Sequence, residues 1–262
     1  MRRMPKHRCL HAVRRAAARA VPCGCLLAMA LPVSIGGAAI AAGGSPGAQG
    51  TEADFGSVQA FWTQQIRALG GEYRPAKLVQ APGPFSPRCN VALSIRGPFY
   101  CPGDETVYLD ESFLQQVERR ASPAADLAIG YVVAHEVAHH VQNVIGTTAL
   151  VEQARARSTA ALAARTLSAL ELQADCYAGL WVHWSGDRGT LKIPPEQAVS
   201  AALDAVAAVG AQWQSQRLAQ QELLDPFTHG SAAQRSKWFH RGLATGQFGD
   251  CDTFGADAAG TL

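Results

Sequence analysis

Residues 122–146 read SPAADLAIGYVVAHEVAHHVQNVIG, a pattern typical of one long buried helix. Ser122 and Pro123 are characteristic of a helix start, Asp126 suits the first turn, and Gly146 is a plausible stop. Apolar residues flank the polar ones along this helix: Ile129, Val132, Val133, Val137, Val141 and Val144. The sequence therefore predicts a buried helix that starts at Ser122 and stops near Gly146.

The polar residues in the middle of this helix are His135, Glu136 and His139, in the HExxH arrangement. Residues four positions apart lie one turn apart on the same face, so both imidazoles can reach one tetrahedral zinc ion. Glu136 then lies beside the open coordination position, where its carboxylate can act as general base on water. Unpaired His and Glu side chains would be costly in a buried helix, which favours one zinc ion per chain.

A catalytic zinc ion needs a third protein ligand, and the segment ELQAD at residues 171–175 offers one on a second helix. We predict that Glu171 is this ligand. Asp175 follows one turn later, where it can accept the remaining N–H of a ligand histidine and fix its tautomer. The alternative is a solvated acidic helix face, but the apolar residues around both carboxylates favour burial.

Residues 228–235, THGSAAQR, contain two hydrogen-bond donors that could stabilise charge developing on a substrate carbonyl. We predict His229 and Arg235 as further catalytic residues. A structural alternative is equally open, because Ser231 is a good N-cap for a helix. In that alternative His229 caps the same helix and Arg235 forms an ion pair.

The rest of the chain predicts an α+β fold that is mainly α-helical. Apolar residues recur at three- and four-residue steps from Asp54 to Leu69, which predicts a first helix. Residues 77–80 and 107–109 favour strands, so a small β and loop region is expected near the N-terminus. Further helices are expected at 111–120, 150–184 with a break, 195–209, 212–223 and 231–244.

Residues 1–42 have the composition of an export signal. Seven Lys and Arg residues, with no acidic residue, precede an uncharged run over residues 20–42. This predicts a cleaved signal peptide or, as the alternative, an N-terminal membrane anchor. The protein is then expected in the periplasm, in the cell envelope or outside the cell. Residues 43–51 have linker composition, and the folded domain is expected at 52–262.

Charge and hydropathy exclude two classes of function. Beyond residue 42 the chain has 16 Lys and Arg residues against 21 Asp and Glu residues, and no basic stripe. This is a poor match for a phosphate backbone, so nucleic acid is not expected as a partner. Beyond the leader, no stretch approaches about 18 uninterrupted apolar residues, which argues against a membrane-embedded protease.

Four cysteines lie beyond the leader, namely Cys89, Cys101, Cys176 and Cys251. An even number in an exported domain predicts two disulfides, for which three pairings are possible. We favour Cys89 with Cys101 and Cys176 with Cys251. The alternative is four buried free thiols.

Several short motifs follow one another along the chain. They are YRP at 73–75, GPFYCP at 97–102, VYLD at 107–110, HEVAHH at 135–140, ELQADC at 171–176, THGSAAQR at 228–235 and CDTF at 251–254. With these motifs, residues 54–254 resemble the bacterial neutral zinc metallopeptidase (YpfJ-like) family. The resemblance implies a zincin-like domain of the gluzincin type. In it, His135, His139 and Glu171 match the metal pattern and Glu136 matches the base.

The function predicted from these features is zinc-dependent hydrolysis of peptide bonds in a peptide or protein substrate. The competing class is a zinc-stabilised binding or scaffold protein of the envelope with little or no turnover. A purely structural zinc site would ordinarily close with a fourth protein ligand. Cys176 is the nearest candidate, but its expected disulfide makes it a poor ligand, and the presence of Glu136 favours an enzyme.

Overall fold

The computed structural model of this protein describes residues 46–85, 97–219 and 230–262. These ranges contain the following helices and strands, in chain order: α1 Pro46–Ala68, β1 Lys77–Ala81, β2 Phe99–Cys101, β3 Thr106–Asp110, α2 Glu111–Ala121, α3 Ala125–Val144, α4 Thr147–Arg155, α5 Ala160–Asp187, α6 Glu196–Ala219, α7 Ala232–Thr245, the 3-10 helix Phe248–Cys251 and α8 Thr253–Ala258. The predicted α+β fold, mainly helical with a small β region near the N-terminus, is confirmed.

The three strands form one small sheet in the order β1-β3-β2. The middle strand, β3, is parallel to β1 and antiparallel to β2, so that Val107 pairs with both Leu78 and Tyr100. Val107 and Leu109 are fully buried. Side chains alternate between the two faces of a strand, so these two residues lie on the same face and fix the side of the sheet that joins the core.

The central helix of the fold is α3, which packs against α1, α2, α5, α6 and the sheet. From Leu127 to Gln142 nearly every residue is buried, on all sides of the helix. A helix that is apolar all round is stable only inside a protein, which explains this central position. The few polar residues of α3 are therefore held among packed helices.

The start of α3 differs from the prediction, because the helix begins at Ala125 and Ser122 does not cap it. Ser122 instead ends α2, with an extended backbone at φ −55° and ψ 135°. The helical region is sterically disfavoured for a residue before proline, so α2 ends before Ser122 and Pro123, which separate the two helices.

Two further boundaries differ from the prediction. The linker expected at 43–51 is helical from Pro46, and Thr51 is buried. Proline is favoured at the first position of a helix, where its missing N–H costs nothing. The break expected after residue 209 does not occur, because α6 continues through Gly210 as one helix.

The two helices α5 and α7 approach each other at glycine. A Cβ atom added to Gly179 would lie 2.2 Å from the carbonyl oxygen of Phe239, and one added to Gly242 would lie 2.0 Å from that of Cys176. Both distances are far below van der Waals contact, so only glycine permits this backbone separation. The close approach brings the start of α7 within reach of α5 side chains.

A disulfide joins Cys176 of α5 to Cys251 of the 3-10 helix, as predicted. It closes a loop across a sequence separation of 75 residues, which stabilises the fold by about 4.5 kcal/mol in the loop-entropy model. Such bonds are typical of proteins outside the reducing cytosol. Cys101 is buried at the end of β2, and Cys89, its predicted partner, lies outside the described residues.

The export signal predicted at residues 1–42 also lies outside the described ranges. Among the helices of residues 46–85, 97–219 and 230–262, none has both the length and the apolar composition needed to cross a bilayer.

Asp54 on α1 is a pH-dependent weak point of the helix packing. Burial and the nearby Asp126 carboxylate raise the pKa of Asp54 to about 7. Folding therefore favours the protonated form of Asp54. This contribution to the free energy of unfolding is fully present below the unfolded pKa of about 4 and is lost as the pH rises through the folded pKa of about 7. We expect Asp54→Asn to raise the free energy of unfolding by about 1–2 kcal/mol at pH 8, discounted for partial exposure, and hardly at all at pH 4.

Urea unfolding at pH 4 and pH 8 measures this difference. Glu52→Gln is the matched control, because Glu52 is an exposed carboxylate on the same helix. Stabilisation by Asp54→Asn that is equal at both pH values, or no larger than that of the control, would contradict the prediction.

Candidate metal centre

Three side chains converge where α3 meets α5. His135 and His139 lie one turn apart on α3, and Glu171 reaches them from α5. The two imidazole Nε2 atoms are 3.2 Å apart. Glu171 places Oε2 3.3 Å from Nε2 of His135 and Oε1 3.4 Å from Nε2 of His139. The structure thus brings together the three residues that the sequence predicted as metal ligands.

These separations fit a zinc ion. Zinc bonded at about 2.0–2.1 Å to ligands in tetrahedral geometry holds the ligand atoms about 3.3–3.4 Å apart. Two imidazoles and one carboxylate are also a known donor set for a catalytic zinc ion. His135, His139 and Glu171, whose ligand atoms all lie within 4.8 Å of one another, could therefore hold zinc.

The electrostatics of this centre favour a bound cation. Burial lowers the pKa of His135, but the carboxylates of Asp175 and Glu171 outweigh it and raise that pKa to about 10. Burial also lowers the pKa of His139, and the Glu171 carboxylate again raises it overall. A proton and a metal ion compete for the same imidazole lone pairs, so a centre that attracts one attracts the other.

Asp175 orients His135 through the imidazole nitrogen that does not face Glu171. Its Oδ1 lies 2.9 Å from Nδ1 of His135. Burial alone would raise the pKa of Asp175, but Arg235 and His135 lower it below its usual value. The ionised carboxylate can only accept hydrogen bonds, so Nδ1 of His135 carries the proton and Nε2 keeps its lone pair for a metal.

Arg235 holds Asp175 from α7. Its Nε donates to Asp175 Oδ2 at 3.1 Å, and its Nη2 donates to Oδ1 at 3.2 Å. The same Nη2 donates to the hydroxyl of Tyr131 at 2.6 Å, and that hydroxyl donates to Asp175 Oδ1 at 2.5 Å. Of the two roles considered for Arg235, the geometry is that of the ion pair. The close contact between α5 and α7 makes it possible.

The remaining residues predicted for the site or its neighbourhood are Glu136, His229 and Ser231. Glu136 is buried beside the metal centre, with a pKa that burial raises above its usual value. His229 lies outside the described residues, so its role stays a prediction. Ser231 caps α7 and forms a capping box with Gln234, as expected for a good N-cap.

The neighbouring histidine, His140, ties α3 to the chain around the sheet. It is fully buried, with Nε2 2.6 Å from the carbonyl oxygen of Arg74 and Nδ1 3.0 Å from the hydroxyl of Tyr100. Burial lowers the pKa of His140. These contacts give His140 a structural role next to the two predicted ligands.

Two residues of the centre were missed by the sequence analysis. Tyr131 lies four positions before His135, and Gln142 lies three positions after His139, where its Oε1 is 2.9 Å from Nδ1 of that imidazole. Both spacings place a side chain on the same helix face as its neighbour. The spacing was therefore a usable signal, but it did not identify the partners on α5 and α7.

Comparison with known proteins identifies the family. Residues 41–254 match the family described as "Putative neutral zinc metallopeptidase". The chain is 38% identical over 205 residues to "Uncharacterized protein YpfJ" of Escherichia coli K12, covering 78% of this chain and 70% of that protein. It is 40% identical over 208 residues to "Uncharacterized protein Rv2575" of Mycobacterium tuberculosis H37Rv, covering 76% and 68%.

No solved structure matches the chain. The family match nevertheless spans most of the described residues and includes the segments that carry His135, His139 and Glu171. The chain belongs to the "Putative neutral zinc metallopeptidase" family.

Proposed function

We propose that this protein is a zinc-dependent peptidase that hydrolyses peptide bonds in a peptide or protein substrate. The observation that carries the proposal is the convergence of the two histidine Nε2 atoms and the Glu171 carboxylate, with all three ligand atoms within 4.8 Å of one another. Family membership supports zinc as the metal.

Glu136 is the general base of the proposed reaction. When bound, zinc lowers the pKa of water and polarises a carbonyl group. Glu136 follows His135 directly in α3, so its carboxylate is held beside the metal centre by a rigid, buried helix. It accepts a proton from water and returns that proton to the leaving amine.

Asp175, Arg235 and Tyr131 support this chemistry by positioning the His135 imidazole. Asp175 keeps the His135 imidazole in the tautomer that a metal requires, and Arg235 and Tyr131 keep the Asp175 carboxylate in place. Arg235 therefore acts in the proposal as a positioning residue for Asp175. Of the two roles predicted for Arg235, the ion pair is the one that this proposal uses.

The coordination set also favours an enzyme over a zinc-stabilised scaffold. Among the described residues, the cluster suited to a metal contains three ligands, which leaves a coordination position for water or substrate. Cys176 cannot close the site as a thiolate, because it is bonded to Cys251. We propose further that the protein works outside the cytosol, which its disulfide supports.

The test measures zinc content and hydrolysis of casein or a quenched peptide by the purified protein. We expect about one zinc ion per chain, hydrolysis that disappears when a chelator removes the metal, and recovery when zinc is restored. Hydrolysis that persists at the same rate without metal would overturn the zinc mechanism. Tight binding of zinc with no hydrolysis of any peptide would favour the scaffold.

A further inference from the structure

The ring nitrogen of His139 that does not face Glu171 is Nδ1, and it contacts the side-chain amide of Gln142. The orientation of that amide can be deduced. Nδ1 of His139 lies 2.9 Å from Oε1 of Gln142, a fully buried side chain on the same helix. A glutamine amide can turn either its oxygen or its NH₂ group toward an imidazole, and the two choices select opposite tautomers of the histidine. The remaining contacts of Gln142 decide between them.

One backbone carbonyl fixes the Gln142 amide. Its Nε2 lies 2.8 Å from the carbonyl oxygen of Leu170 and 3.1 Å from Oε1 of Gln173. A carbonyl oxygen only accepts hydrogen bonds, so the group facing Leu170 must be the NH₂ group. The oxygen of Gln142 then faces His139, whose Nδ1 must carry the proton.

A second backbone carbonyl fixes the Gln173 amide in the same way. Nε2 of Gln173 donates to the carbonyl oxygen of Cys251 at 3.2 Å, so Oε1 of Gln173 faces Gln142 and accepts from it. Cys251 is itself held by the disulfide to Cys176. A chain of two amides thus runs from His139 to a covalently anchored part of the backbone.

We propose that Gln142 is the positioning residue of His139 and that Gln173 holds Gln142 in the required orientation. The two amides keep the proton of His139 on Nδ1 and leave the lone pair of Nε2 pointing toward Glu171. This inference rests on the proposed function, because it assigns a role toward the same zinc site. It gives each ligand histidine its own partner, Asp175 for His135 and Gln142 for His139.

The first test compares zinc affinities, measured by competition with a chromophoric chelator. Gln142→Met keeps the size of the side chain and removes the acceptor, and we expect affinity to fall about 10–100-fold. Gln173→Met leaves Gln142 with the Leu170 contact, so a smaller loss is expected. Gln153→Met on α4 is the matched control, because Gln153 is exposed, and it should bind zinc like the parent.

Rescue by a conservative variant separates positioning from packing. Gln142→Glu keeps an oxygen toward His139, and its carboxyl, when protonated, can also donate to the Leu170 carbonyl as the amide does, so it should retain more affinity than Gln142→Met. Parent-like affinity in Gln142→Met, or equal losses in Gln142→Met and Gln142→Glu, would overturn the proposal. A parent that binds no zinc would instead overturn the proposed function, so the two failures are distinguishable.

The second test needs no variant of Gln142 and therefore does not depend on how such a variant folds. Nitrogen-15 NMR of the histidine side chains in the zinc-loaded parent reports which ring nitrogen carries a proton. We expect a proton on Nδ1 of His139 and the metal on Nε2. The opposite tautomer would overturn the proposal.

Discussion

Glu136→Gln is expected to abolish hydrolysis while zinc remains bound. The amide is nearly the same size as the carboxylate, so α3 and the two ligand histidines keep their positions. It cannot accept a proton from water, however, and loss of a general base typically lowers kcat by about 10²–10⁴-fold. KM should change little, because the group acts mainly in the transition state.

The measurement is a side-by-side comparison of zinc content, KM and kcat on a quenched peptide. Glu118→Gln is the control, because Glu118 is an exposed carboxylate on α2 and not one of the metal-centre residues. Parent-like hydrolysis by Glu136→Gln would remove Glu136 from the mechanism. Loss of zinc along with activity would show instead that Glu136 acts on the metal site itself.

Gly242→Ala is expected to destabilise the protein severely. The new methyl group would lie 2.0 Å from the carbonyl oxygen of Cys176 and 3.0 Å from the backbone nitrogen of Leu180, and no rotamer change can relieve a contact with backbone. The helices α5 and α7 must move apart, at a cost of about 3 kcal/mol or more. Zinc affinity should fall as well, because Arg235 on α7 then loses its hydrogen bonds to the Asp175 carboxylate.

Gly210→Ala on α6 is the matched control, because a Cβ atom at Gly210 meets nothing within 4 Å. Alanine favours a helix over glycine by about 0.5–1 kcal/mol, so this variant should be slightly more stable than the parent. Urea unfolding and zinc titration of both variants give the comparison. Similar small effects at the two glycines would contradict the close helix contact.

Sequence patterns predicted α3, α5 and α7 well because each is long and periodic. Helix α8 was missed, since its six residues are too few to show a helical period. The start of α3 was misplaced because Ser122 suits a helix cap and also suits the extended residue before a proline. Local chemistry allowed both, and in the structure Ser122 follows α2 with an extended backbone while Ala124 takes the N-cap position of α3.

The sequence predicts those parts of the metal centre that lie within a single helix. His135 with His139, and Glu171 with Asp175, are pairs at a spacing of four residues, so each pair could be placed on one helix face. The partners of these residues come from other helices: Arg235 reaches Asp175 across 60 positions of sequence. No periodicity encodes that distance, because it depends on how closely α5 and α7 approach at Gly179 and Gly242.

The Cys176–Cys251 disulfide also determines what proteolytic nicking can do to this molecule. Its two cysteines precede and follow α6 and α7 in the sequence, at a separation of 75 residues. A single backbone cut within residues 177–250 therefore yields two fragments that remain covalently attached. Such a nicked molecule would migrate as one band on a non-reducing gel and as two bands after reduction. The helix that carries Arg235 would stay tethered to the helix that carries Glu171.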